Sequence, residues 1–139
     1  MGRMWTHYPE LLQRPVPRYT SYPTAADFSA SVGPDAMADA LRQIDKATPL
    51  SLYVHIPFCE EICWYCGCNT ARSNKQSRLS AYLDMLYREI EMVSALLGGR
   101  GRVQRISFGG GSPNALDALD FVRLLGDLTV AFGTENPLV

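Results

Sequence analysis

Outside Cys59–Cys68 the sequence contains no cysteine. That absence excludes a disulfide framework, which needs thiols spread through the chain. It also tells against the usual structural zinc site, which takes a second ligand pair from a distant segment. An excess of charge is lacking too: 13 Lys and Arg face 14 Asp and Glu, for a formal net charge of −1. Nothing in that balance points to nucleic acid or an anionic membrane surface as a partner. No run of about 20 apolar residues occurs, so no membrane span is expected. Met1 to Tyr8 is not followed by an apolar signal segment. The 139 residues suit one modest domain. Hydrophobic residues make up 47% and charged residues 19%, which predicts a packed core. The expected compartment is the cytoplasm, where thiols stay reduced.

The thiols that are present are crowded together. Three residues separate Cys59 from Cys63, two separate Cys63 from Cys66, and one separates Cys66 from Cys68. Thiolates are soft ligands, and iron–sulfur clusters are held by them at short spacings. An iron–sulfur cluster is therefore the first reading, with zinc or structural thiols as the alternatives. Cys68 stays ambiguous between a nearby thiol with another task and a small buried residue.

Around this loop the chain alternates strand and helix. Residues 1–26 carry Pro9, Pro15, Pro17 and Pro23 and show no period, which predicts an extended arm. Within it, Arg18 could pair with a carboxylate in fork geometry; the plainer reading is an irregular strap over a core. A short helix opens at Pro34-Asp35, with Met37, Leu41 and Ile44 on one face. Leu50, Leu52, Val54 and Ile56 alternate with Ser51, Tyr53 and His55, the pattern of a strand with one apolar and one polar face. It runs directly into Pro57-Phe58 and the cysteines, so they should sit at a strand's C-terminal end, where parallel α/β barrels place their chemistry. Leu79, Tyr82, Leu83, Leu86, Ile90, Val93 and Leu97 then mark a long helix from about Ser77, stopped by Gly98-Gly99. Val103 to Phe108 reads as a second strand, ending in Gly109-Gly110-Gly111-Ser112-Pro113. A further helix follows, marked by Leu116, Leu119, Val122, Leu125, Leu128 and Phe132. Strand, helix, strand, helix implies a parallel pair with a right-handed crossover. The division expected is an arm and short helix over residues 1–48 and two βα units over 49–139.

The glycine stretch admits two readings. It could be only a tight turn, or its bare backbone could approach a ligand closely and offer N–H groups. Tyr53 could be a site residue or packing, and His55 is more readily structural than catalytic. Trp64 and Tyr65 could shield the cysteine loop from water.

The C-x3-C-x2-C order with Tyr65 before the third cysteine resembles the signature of radical S-adenosylmethionine (SAM) enzymes. The stretches Pro17 to Ala25, Leu50 to Cys59, Cys63 to Asn69 and Gly109 to Pro113 resemble, more narrowly, the oxygen-independent coproporphyrinogen III oxidase (coproporphyrinogen dehydrogenase) family. The resemblance implies an α/β fold: the N-terminal part of a partial (β/α)6 TIM-like barrel, preceded by an irregular arm and a short helix. It implies a [4Fe-4S] cluster on Cys59, Cys63 and Cys66, with S-adenosyl-L-methionine on its open iron. SAM contacts would come from Tyr53, Tyr65, Gly110, Gly111 and Ser112. Ser112 stands where a Gly-Gly-Glu-like stretch of radical SAM enzymes would place an acidic residue; its hydroxyl can hydrogen-bond but cannot pair with an ammonium group by charge. Arg18, Tyr19 and Tyr22 would lie near the porphyrinogen and its propionates. The implied reaction is oxidative decarboxylation of two propionates to vinyl groups, giving protoporphyrinogen IX in haem biosynthesis, begun by a 5′-deoxyadenosyl radical. It requires a porphyrinogen substrate and an electron donor, and a full-length enzyme of this kind is expected to be monomeric. Alternatives are a haem chaperone-like radical SAM relative, or an inactive cluster-binding fragment. Because a full barrel takes about 250 residues, the chain is expected to be a truncated part of a longer protein.

Overall fold

The computed structural model describes residues 27–64, 66–72 and 76–134, together with Pro9 and Val139. Two compact units divide the chain, Met1–Gly33 and Pro34–Val139. The second holds every helix and strand discussed below. In order these are α1 (Pro34–Arg42), β1 (Pro49–Ile56), β2 (Phe58–Cys59), β3 (Ala71–Arg72), α2 (Gln76–Leu97), β4 (Arg102–Gly110) and α3 (Ala118–Ala131). A 3-10 turn, Pro113–Ala115, stands between β4 and α3.

β1 and β4 form a two-stranded parallel sheet, and β2 and β3 form another. In β1 the burial alternates as the side chains do. Val54 and Ile56 are buried, Leu50 and Leu52 half-buried, and Ser51 and Tyr53 exposed. The buried side receives α2 through Leu79, Leu83 and Ile90, and Leu97 is buried further along the same helical face. α3 adds Leu124 and Leu128, and β4 adds Ile106. Ile56, Ile106 and Leu124 are completely enclosed, and each such side chain contributes about 1.5–3 kcal/mol by leaving water.

The helix ends follow their sequence. α2 stops at Gly98 and Gly99, whose φ values of 54° and 73° place them in the left-handed region that glycine enters without steric cost. α3 starts at Asp117, whose carboxylate accepts the Asp120 backbone N–H at 2.8 Å. It therefore begins two residues later than its apolar spacing suggests, because Pro113 and Ser112 first make a 3-10 turn. β4 runs longer than expected, through Gly109 and Gly110, which pair with His55 and Ile56. In α1, Leu41 is half-buried as expected and Ile44 beyond it likewise, but Met37 is exposed. The short β2–β3 pair was invisible to periodicity because each partner is only two residues long.

Candidate metal and cofactor site

The cysteine loop leaves the C-terminal end of β1 and is closed at its neck. Phe58 and Cys59 pair in parallel with Ala71 and Arg72, and the Ala71 N–H donates to the Pro57 carbonyl at 2.7 Å. The Arg72 guanidinium donates from Nε to the Glu60 carbonyl at 3.2 Å. Inside the loop, the Cys66 N–H donates to the Cys63 carbonyl at 3.0 Å and makes a tight turn. His55 Nε2 lies 3.2 Å from the Asn69 carbonyl oxygen, which ties the returning limb of the loop back to β1.

All four cysteines are free thiols; Cys59 and Cys66 are half-buried, Cys63 and Cys68 exposed. Burial raises the Cys59 thiol above its ordinary value, and negative charge on Cys66, Cys63 and Cys68 raises it further. Cys66 moves the opposite way. The Cys68 backbone N–H and the Thr70 hydroxyl, 3.7 Å away, hydrogen-bond to its sulfur and lower it, against partial desolvation. Thiolates, not thiols, are the metal-binding form. Among the described residues, no three His, Cys, Asp or Glu side chains converge tightly enough to hold a metal ion.

The glycine stretch is packed against this loop and against the polar face of β1. A Cβ on Gly109 would lie 2.6 Å from the Tyr53 hydroxyl, and one on Gly110 would lie 2.9 Å from the His55 ring. One on Gly111 would lie 2.5 Å from the Phe58 carbonyl oxygen and 2.9 Å from Cys59 Sγ. Close approach therefore demands glycine here, but toward the protein's own cysteine loop. The Gly111 and Ser112 N–H groups donate to the Ile56 and Phe58 carbonyls, each at 2.8 Å. They are spent inside the fold, so the turn's remaining polar offering includes the Ser112 hydroxyl, which makes no helix-capping bond.

Tyr53, Cys59 and the three glycines are thus gathered at one end of the β1–β4 sheet. Tyr53 is 63% exposed, which leaves its ring open to a ligand. Trp64 is fully exposed and screens nothing among the described residues. Tyr65, Arg18, Tyr19 and Tyr22 lie outside the described residues. Thr70 and Arg72, which tie Cys66 and Glu60, are loop contacts that the sequence reading did not name, and Asn69 entered it only as the end of the Cys63 to Asn69 stretch. Only their spacing beyond the cysteines could have flagged them, and loop spacing has no period. A cleft of about 220 Å³, lined by Leu52, Tyr82, Leu86, Ile90 and Phe132 among others, includes none of the cysteines.

The donor set suits an iron–sulfur cluster. Soft thiols crowd one closed loop, and Gly111 leaves Cys59 the room that a side chain would take. Similarity to solved structures points to the same class. The chain resembles coproporphyrinogen III oxidase (HemN) from Escherichia coli, a radical SAM enzyme, with a TM-score of 0.75 and 38% identity over 92% of this chain and 28% of that one. Its fold, a mixture of helices and small parallel sheets, is that of part of a radical SAM protein.

The curated relatives narrow the class. The chain is 48% identical over 113 residues to the oxygen-independent coproporphyrinogen III oxidase of Pseudomonas aeruginosa, covering 81% of this chain and 25% of that protein. It is 44% identical over 109 residues to the Escherichia coli enzyme of the same name, covering 78% and 23%. It is 45% identical over 101 residues to coproporphyrinogen III oxidase, anaerobic 1, of Cereibacter sphaeroides, covering 73% and 22%. By sequence the chain is a relative of the oxygen-independent coproporphyrinogen III oxidases, and it spans about a quarter of their length. No family model matches it.

Proposed function

We propose that Cys59, Cys63 and Cys66 hold a [4Fe-4S] cluster, and that the chain is the cluster-bearing part of an oxygen-independent coproporphyrinogen III oxidase. The observation that carries this reading is the approach of Gly111 to Cys59 Sγ at the C-terminal end of a parallel strand pair. When bound, the cluster and SAM supply radical chemistry that removes hydrogen from an unactivated carbon.

The chain's own residues bind and orient. The β2–β3 pair and the Arg72–Glu60 tie close the loop, so three thiolates are delivered from one short segment. Tyr53, Gly110, Gly111 and Ser112 form the wall on which the methionine end of SAM would rest. The Ser112 hydroxyl and the Tyr53 hydroxyl can both hydrogen-bond to it, without the charge an acidic residue would bring. Tyr65, and Arg18, Tyr19 and Tyr22 for the porphyrinogen propionates, complete the set by resemblance. The larger architecture proposed is the first two βα units, residues 49–139, of a partial (β/α)6 barrel. An electron donor is required, and the cytoplasm is the proposed compartment. No helix among the described residues is long and apolar enough to cross a membrane.

The test is the Cys63→Ala substitution in anaerobically reconstituted protein. It should abolish the visible thiolate-to-iron absorbance and SAM cleavage to 5′-deoxyadenosine. Survival of both would refute the ligand assignment. Coproporphyrinogen turnover under reducing conditions tests the substrate; haem binding without turnover would favour the chaperone-like alternative.

A further inference from the structure

We propose that His55 is a positioning residue that clips the returning limb of the cysteine loop to β1, an inference that rests on the cluster reading above for its purpose. Asn69 offers only a carbonyl oxygen to the ring, 3.2 Å from Nε2, and a carbonyl can only accept. Nε2 therefore carries the proton. On the other side of the ring, Nδ1 lies 3.4 Å from the Tyr53 hydroxyl, a long contact beside the Asn69 one. Gly110 passes so close to the ring that a Cβ there would meet both Cε1 and Nε2 at 2.9 Å, and Tyr82 of α2 donates to the His55 backbone carbonyl, which fixes the main chain that carries the ring.

The position of Asn69 gives this contact its weight. It lies one residue past Cys68 and one before Thr70, whose hydroxyl meets Cys66 Sγ. The β2–β3 pair fixes the neck at Ala71 and Arg72, but the limb above it is tied to the sheet through His55. Without that tie, Thr70 and Cys66 would be free to swing relative to Cys59. Residues that orient metal ligands from behind in this way alter metal affinity by about 10–100-fold when removed.

The test compares His55→Gln, His55→Asn and His55→Ala. A glutamine amide can place its nitrogen near the Nε2 position and donate to Asn69; an asparagine has the same chemistry but falls short. Hydrogen exchange of segment 66–72 in the metal-free chain reads the clip directly, with exchange of α2 as the control for folding. In the Asn and Ala variants segment 66–72 should exchange roughly tenfold faster, the loss of one net hydrogen bond, while Gln stays near wild type. After reconstitution, iron release to a chelator should follow the same order, by about 10-fold or more. If all three variants exchange at the wild-type rate, or Gln is as fast as Ala, the clip is wrong. If the wild-type chain takes up no iron, the cluster reading falls, and the exchange ranking still decides the clip by itself.

Discussion

Replacing Gly111 with Ala tests the contact between the glycine stretch and the cysteine loop. The added Cβ would sit 2.5 Å and 2.8 Å from the Phe58 carbonyl oxygen and carbon and 2.9 Å from Cys59 Sγ. Two of those atoms are backbone and cannot rotate away, so the turn or β2 must move. Overpacking of this kind costs about 1–3 kcal/mol. Movement also lengthens the Gly111–Ile56 and Ser112–Phe58 hydrogen bonds, now 2.8 Å each, at about 0.5–1.5 kcal/mol per bond lost. The smaller conformational freedom of alanine in the unfolded chain returns about 0.4–1 kcal/mol. A net loss of about 3 kcal/mol follows, which urea denaturation would read as a midpoint lower by roughly 1–2 M. Gly126→Ala is the control. It lies inside α3 with nothing within 4 Å of its Cβ position, and should raise stability by about 0.5–1 kcal/mol. Reconstituted Gly111→Ala should also hold less iron than Gly126→Ala. If Gly111→Ala unfolds at the wild-type midpoint and loads normally, the packing of the glycines on Cys59 is refuted.

Further predictions concern the supporting elements. Asp117→Ala removes the α3 cap and should cost about 1 kcal/mol in the same denaturation experiment, with Asp117→Asn largely rescuing it. Burial, aided by the nearby Glu89 charge, raises the Tyr82 hydroxyl above its ordinary value of 10.0, so the folded state disfavours its ionised form. Stability from this group is whole below pH 10 and declines as pH rises from there through the raised value. Tyr82→Phe should therefore flatten the alkaline fall in stability while losing about 1 kcal/mol at neutral pH with its bond to the His55 carbonyl; thermal melts across pH would show both. Arg42→Ala breaks an exposed pair with Asp39 and should change stability by under about 0.5 kcal/mol.

Much of this fold was legible because its elements are amphipathic. The alternation of Leu50 to Ile56 and the stripe from Leu79 to Leu97 each carry their own period, and both elements lie where that period puts them. Glycine at 98 and 99 marked the end of α2 for the same local reason. The start of α3 was harder, because Leu116 is buried beneath a 3-10 turn and reads like a helical residue. The cysteine spacing was legible, and with it the resemblance to the radical SAM class that the solved structure shares. What could not be read was the loop's scaffolding. The Ile56 and Phe58 carbonyls that occupy the Gly111 and Ser112 N–H groups, and the Asn69 carbonyl facing His55, are backbone atoms, and sequence does not distinguish one carbonyl from another. The glycine stretch read either as a tight turn or as a ligand cradle, and two of its N–H groups serve the loop.

The most direct measurement is iron, sulfide and zinc analysis of the chain after anaerobic reconstitution, alongside the reduced cluster's electron paramagnetic resonance with and without SAM. A three-thiolate cluster predicts about four iron and four sulfide per chain, and a spectrum that shifts when SAM binds the open iron. Stoichiometric zinc, or no metal at all, would contradict it.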